Sequence, residues 1–309
     1  MRSYGALVVG LSQATVDYIG SVPTFPQPDT KCDLTGLTVG GGGPAATALV
    51  TLARWGVGAS FIGVVGDDAF GRMILEGLDQ EGVDVSAVSV APGGTSTFSF
   101  ISVEEQSAER TIFCYRGQGC GLAPDRVDLD LVRRASVVLV DAYDLPACLA
   151  AARAAQEAGV PVVCDAGTLR PGSLELLALV DHAVCSEVFF RSFYPGDDLR
   201  EGLARLRALG PKAVVVTLGK RGGLGLDGRV FREQPAFPVR AADTTGAGDV
   251  YHGAYIYGLL AGWDLAGRMA FASAAAALKC ERLGGRAGIP KLAQIQTFMG
   301  NAWPDAAGK

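Results

Sequence analysis

The chain has 309 residues, 49% of them apolar and 19% charged, enough to bury the core of one large domain. Its formal net charge of -5 supplies no basic field, which excludes nucleic acid as a bulk partner. No stretch nears the roughly 20 apolar residues that span a bilayer. Neither the seven scattered cysteines, never spaced as C-x-x-C, nor the two histidines, His182 and His252, suggest a zinc site; reduced thiols in the cytoplasm fit the pattern.

The first apolar run, 6–10, soon meets Asp17 and reads as a strand, because a leader peptide needs a longer apolar core. Further strand-length apolar runs recur at 60–65, 136–140, 160–164, 182–185 and 213–218. Between most of them lie stretches rich in Ala, Leu and Arg at helical spacing, at 44–55, 70–80, 145–158, 172–179 and 199–209. This alternation predicts an α/β fold, a mainly parallel sheet with helices on both faces. Two segments break the rhythm. Segment 12–37 carries Pro23, Pro26 and Pro28, and 95–116 alternates apolar and polar residues like a half-exposed strand, so the two together predict a small accessory sheet. Beyond Asp243 a loop leads into an apolar helix, and 265–279 reads as a second, Ala-rich helix. With no repeat or interdomain linker, residues 1–309 read as a single domain carrying the two accessory segments.

The densest chemistry lies in Asp243-Thr244-Thr245-Gly246-Ala247-Gly248-Asp249, which opens that apolar helix. A turn of small residues at a helix start leaves backbone N–H groups unpaired and lets a phosphate approach them, with the helix dipole adding attraction. Asp249 falls in the first helical turn, where its carboxylate can share the pocket of a transferring phosphoryl group and take a proton from an attacking hydroxyl. The plainer alternative is a capped helix in which Asp249 only complements the dipole. Gly223-Leu224-Gly225-Leu226-Asp227-Gly228 spells G-x-G-x-x-G, but Arg229-Val230-Phe231 after it reads as a strand where a dinucleotide fingerprint opens a helix. There is no Walker-type phosphate loop.

DTTGAGD followed by Tyr251 and Gly253-Ala254 resembles the C-terminal signature of the ribokinase/PfkB carbohydrate kinases. Three further blocks resemble that family in the same order. They are Gly42-Gly43-Pro44-Ala45-Ala46-Thr47 with Ala53-Arg54-Trp55-Gly56, then Gly63 through Gly71, then Val216-Thr217-Leu218-Gly219-Lys220-Arg221-Gly222-Gly223. The resemblance spans nearly the whole chain. It implies a ribokinase-like three-layer α/β/α core with a small β-sheet lid, and ATP-dependent phosphorylation of a sugar or sugar-like hydroxyl with Mg2+ on the phosphates. It further implies Asp249 as general base and backbone groups of Gly246, Ala247 and Gly248 as an anion hole. Asp17, Gly42, Gly43 and Thr47 would meet substrate hydroxyls; read from the residues alone, Asp17 is a loop carboxylate and the glycines a tight turn. Thr217, Gly219 and Gly222 would approach the nucleotide. A monovalent cation, K+, near Asp243, Thr245 and the 284–288 loop, and a homodimer through the lid, are implied in the same way.

Several positions depart from the family pattern. Thr47 stands where Asn is frequent, and a hydroxyl replaces an amide's paired donor and acceptor. The family's N-x-x-E appears as Ser186-Glu187-Val188-Phe189, leaving Glu187 as a contact to Mg2+ through water. His252 reads as a helix histidine satisfied by packing. Lys31, with Ala277-Leu278-Lys279-Cys280 and the 284–290 loop, resembles the sulfofructose kinase branch, with ketohexokinases nearby; Lys31 would then meet a substrate anion, or else be a solvated charge. Arg110 and Arg116, on the second accessory segment, reach over the site or stay on the surface. The alternatives to a sugar kinase are a nucleoside kinase on the same fold and a ligand sensor without turnover.

Overall fold

The computed structural model describes residues 5–304. Chain chemistry sets the elements locally. Pro44 occupies the first turn of its helix, where no N–H is needed, and Asp68, Asp128, Asp198, Asp264 and Ser186 each cap a helix by accepting a backbone N–H. In order, the first half comprises β1 (Leu7–Leu11), β2 (Thr15–Val22), β3 (Gly36–Gly42), α1 (Pro44–Arg54), β4 (Gly58–Gly66), α2 (Ala69–Gln80), β5 (Val88–Ala91), β6 (Phe98–Glu104), β7 (Arg110–Tyr115), α3 (Leu129–Arg134), β8 (Val137–Val140) and α4 (Leu145–Glu157). The second half comprises β9 (Val162–Ala166), α5 (Ser173–Leu177), β10 (His182–Ser186), α6 (Glu187–Phe193), α7 (Leu199–Arg207), β11 (Ala213–Thr217), β12 (Gly223–Asp227), β13 (Val230–Gln234), α8 (Ala247–Leu260), α9 (Leu265–Lys279) and α10 (Leu292–Met299).

The large sheet has the order β13-β12-β11-β10-β9-β8-β1-β4-β5. It is parallel from β5 across to β11, and β12 and β13 add an antiparallel edge. Successive strand residues divide between two cores, as the two-residue period of a strand requires. Val8, Val137, Leu139, Val163, Val184 and Val215 pack under α1, α8 and α9, whereas Val9, Val138, Val140, Val162, Cys164, Val214 and Val216 pack under α4, α6 and α7. A sheet buried on both faces explains why these strands read as continuous apolar runs.

The accessory segments form a separate four-stranded sheet, β3-β2-β6-β7, in which β2 runs parallel to β6 with Asp17 opposite Ser99 and antiparallel to β3 with Asp17 opposite Gly40. Its inner residues Val16, Ile19, Ile101 and Val103 are buried, while Leu37, Val39, Ile112, Phe113 and Tyr115 stand exposed. The sequence expectation had not separated out β5, the short helices α3 and α6, or α10, each brief or polar enough to lose its periodicity.

Candidate active site

The site forms where β8, β9, β10 and β11 end, beneath the small sheet. A cavity of about 350 Å³ is lined there by Asp141, Tyr143, Asp165, Arg170, Thr217 and Asp249, among others, with Arg110 reaching in from β7. Strand C-termini of a parallel sheet are where such folds place ligands.

Asp243 organises the turn before α8. Its carboxylate, with no solvent exposure, accepts the N–H of Thr245 at 2.8 Å and that of Gly284 at 2.8 Å. Lys279, also fully buried, donates to the Asp243 carbonyl at 2.9 Å and lies 3.9 Å from its carboxylate; burial lowers the Lys279 pKa and Asp243 opposes that shift. Gly246, at φ 76, forms the left-handed residue that turns the chain into the helix, and a Cβ there would stand 2.9 Å from Gly285 O. Lys279→Met strips the turn of its internal cation and leaves a buried carboxylate without one. It is expected to lower stability by about 3 to 5 kcal/mol, read as a reduced urea midpoint.

The opening turn of α8 then presents unpaired donors. Ala247 N–H is bonded to Thr244 O at 3.2 Å, whereas among the described residues the N–H groups of Gly246, Gly248 and Asp249 have no protein acceptor. A Cβ on Gly248 would meet nothing within 4 Å, so its face opens onto the cavity. Arg110 donates to Thr244 Oγ1 at 2.7 Å and thereby closes the small sheet over this turn.

Asp249 sits at the cavity wall with its pKa raised to about 7, chiefly by burial and further by Asp165 and Asp17, against the pull of His252 and Arg110. His252, one turn on, donates from Nδ1 to Gly248 O at 2.6 Å. Its Nε2 faces two acceptors, Val184 O at 3.3 Å and Asp165 Oδ1 at 3.5 Å. The Asp165 carboxyl itself has its pKa raised by burial. His252 is thus hydrogen-bonded into the cavity wall as well as packed. Asp141, accepting from Ser12 Oγ and Tyr143 N–H, is pushed up to about 7 by burial.

Asp17, Gly42, Gly43 and Thr47 cluster beside the cavity. Asp17 is 7% exposed, accepts from Thr15 Oγ1 at 2.7 Å, and has its pKa raised by burial. A Cβ on Gly42 would overlap its carboxylate, and one on Gly43, at φ 96, would overlap Gln13 O. Thr47 Oγ1 is buried without a partner among the described residues. Arg286, which sequence reasoning passed over, threads beneath this cluster: it donates from Nη2 to Gly42 O at 2.9 Å, fills the space a Gly41 side chain would take, and is held down to about 10 by burial. Its only sequence signal was a lone cation in a glycine-rich loop. Asp165, inside an otherwise apolar strand, was equally detectable; Tyr143 and Arg170 had no such signal.

The remaining expected residues are not among those that line the cavity. Lys31 is exposed in the connection between β2 and β3 and has no partner among the described residues. Gly219 is exposed, and Gly222, at φ 88, packs against Gln234 O. Glu187, opening α6, is ion-paired to Arg221 and lies 3.7 Å from Arg191. Among the described residues no group of three or more His, Cys, Asp or Glu is placed to hold a metal.

Residues 6–292 match the family model described as pfkB family carbohydrate kinase. A 5-dehydro-2-deoxygluconokinase of Clostridium perfringens is 31% identical over 282 residues, covering 84% of this chain and 83% of its own. A ribokinase of Lactococcus lactis is 27% identical, covering 82% and 84%. In fold, the structure of Arabidopsis thaliana ribokinase complexed with ribose and ATP superposes with a TM-score of 0.79 at 24% identity, over 96% of this chain and 98% of that one.

Proposed function

The chain belongs to the pfkB family of carbohydrate kinases, and from that membership we propose that it moves the γ-phosphoryl group of ATP to a hydroxyl of a sugar-like acceptor, with Asp249 as the base. The observation that carries this reading is the Asp249 carboxylate opening into the same cavity as the unpaired N–H groups of its own helix start. The acceptor hydroxyl gives its proton to Asp249 as its oxygen bonds to the γ-phosphorus, and the bond to the β,γ-bridging oxygen breaks, releasing ADP. The N–H groups of Gly246, Gly248 and Asp249 face the equatorial oxygens of the transferring group, and Arg110 adds positive charge from above. No covalent intermediate on the protein is required.

Asp17, Thr47 and the backbone at Gly42 and Gly43 hold the acceptor, and Thr217, Gly219 and Gly222 border the nucleotide. Mg2+ would keep its waters, bind mainly through the phosphates of the nucleotide and neutralise charge on them. Glu187, committed to arginines, reaches it only through water. The orphaned Thr245 Oγ1 beside the Asp243 carboxylate fits a monovalent cation, whose charge would support the turn. The exposed apolar residues of the small sheet support self-association there.

The test is ATP consumption over ketoses, aldoses, sugar acids, sulfosugars and nucleosides. Acceptor-dependent ADP release with a sugar class sustains the reading, nucleosides alone redirect it, and none at all leaves a ligand sensor. The pH profile is a second check. A base must be deprotonated, so kcat/KM is expected to fall about tenfold per pH unit below a break near about 7, the Asp249 value, and to level off above it. A flat profile across that range removes Asp249 as the base.

A further inference from the structure

Arg286 is a buried cation that the fold leaves almost unpaired. It is 8% exposed, and its bond from Nη2, at 2.9 Å, goes to the neutral carbonyl of Gly42. Among the described residues it meets no carboxylate within ion-pair distance, and its Nε has no partner. Arg268, the other arginine so deeply buried among them, by contrast bonds Asp227 at 2.7 Å and Tyr255 Oη at 3.0 Å. A desolvated charge with so little return costs stability, so packing alone does not account for it.

The loop that carries Arg286 is fastened on three sides. Gly284 N–H is held by Asp243, Gly285 packs against Gly246, and Arg286 O accepts from Arg54 Nη1 at 2.8 Å while the same arginine forks onto Glu81. From this anchored base the guanidinium fixes the Gly42–Gly43 peptide by its carbonyl. That peptide is trans, so the Gly43 N–H points away from Arg286, and among the described residues it has no acceptor. Pro44, next in the chain, lines the cavity, and the Asp17 carboxylate stands against Gly42.

Resting on the kinase reading, we propose that Arg286 is a positioning residue, which holds the Gly43 N–H toward the acceptor and sets the spacing between the acceptor and the turn that receives the phosphoryl group. It touches neither. One loop thereby carries both halves of the site, its Gly284 end locked to the turn before α8 and its Arg286 side chain locked to the glycines after β2. A displacement of about 1 Å between reacting groups can cost about 100-fold in rate, so this spacing matters to turnover.

The experiment uses two variants that disturb the guanidinium by different routes. Arg286→Met keeps much of the volume and removes the charge, whereas Gly41→Ala keeps the charge and crowds it out of place, since a Cβ on Gly41 overlaps the guanidinium. The acceptor is the sugar that gives wild type its fastest acceptor-dependent ADP release. Both variants are expected to lose about 100-fold in kcat/KM for that sugar, to keep the KM for ATP within about twofold, and to hold a urea midpoint near that of wild type. They are also expected to release more ADP than phosphorylated sugar, because water takes the phosphoryl group when the hydroxyl is poorly held. A loss of rate with ADP and product still equal overturns the proposal, since the arginine then supports the fold as a whole. Wild-type kinetics in Arg286→Met overturn it too, as does a change confined to the KM for ATP, and Gly41→Ala decides alone should the methionine variant not fold. In each of these cases the kinase reading stands. Wild type that consumes ATP with no acceptor requirement ends both.

Discussion

Asp249→Asn is expected to fold, to bind ATP as wild type does, and to lose about 100- to 10,000-fold in kcat, the usual worth of a positioned general base. The amide keeps the volume of the carboxyl but cannot take the hydroxyl proton. The same substitution carries a stability signature that separates loss of chemistry from loss of structure. Folding raises the Asp249 pKa from 3.8 to about 7, so the folded state binds that proton more tightly than the unfolded chain. Its contribution is therefore fully present below the unfolded value and is lost as pH rises toward the folded one. A neutral Asn carries no such penalty, and the variant should melt above wild type at about pH 8, with the gap closing toward about pH 4. Turnover near that of wild type, measured with the true acceptor, would remove Asp249 from its role.

Gly248→Val is expected to cost about 100- to 1,000-fold in kcat, equivalent to roughly 2.7 to 4 kcal/mol, the loss typical when an oxyanion donor is withdrawn. Gly246 is a poorer choice for this test, because its positive φ and its contact with Gly285 confound catalysis with folding. Gly248 has open space where a side chain would go, so the fold accommodates the valine and the cavity does not. The added methyls hold the phosphoryl group away from the N–H groups of Gly248 and Asp249. A melting temperature like wild type with unchanged kinetics would place the phosphate elsewhere.

The sequence made the large sheet legible because its strands are buried on both faces and its helices are amphipathic; the predicted and observed bounds of the Ala-rich helix coincide at 265–279. The turn that opens α8 was equally legible, since a run of small residues with a glycine marks a sharp chain reversal into a helix. Arg286, Tyr143 and Arg170 were not, because their roles depend on which loops the topology brings together. Arg286 reaches Gly42 across most of the chain, and no local spacing encodes that. Ala247 shows the limit of motif reading from the other side: it belongs to the glycine turn, yet its N–H is already bonded to Thr244.

The parallel register of β2 with β6, Val16 opposite Phe98, has a consequence for how the chain reaches its native state. The small sheet is completed only when segments flanking α1, β4, α2 and β5 are brought side by side, so its closure entropy precedes any reward from pairing. Its inner core is three fully buried side chains, Ile19, Ile101 and Val103, against dozens in each of the two large cores. The wall that carries Arg110 and Arg116 is therefore expected to assemble late and open early, and in a hydrogen-exchange measurement amides in β6 and β7 are expected to exchange sooner than those in β8 to β11.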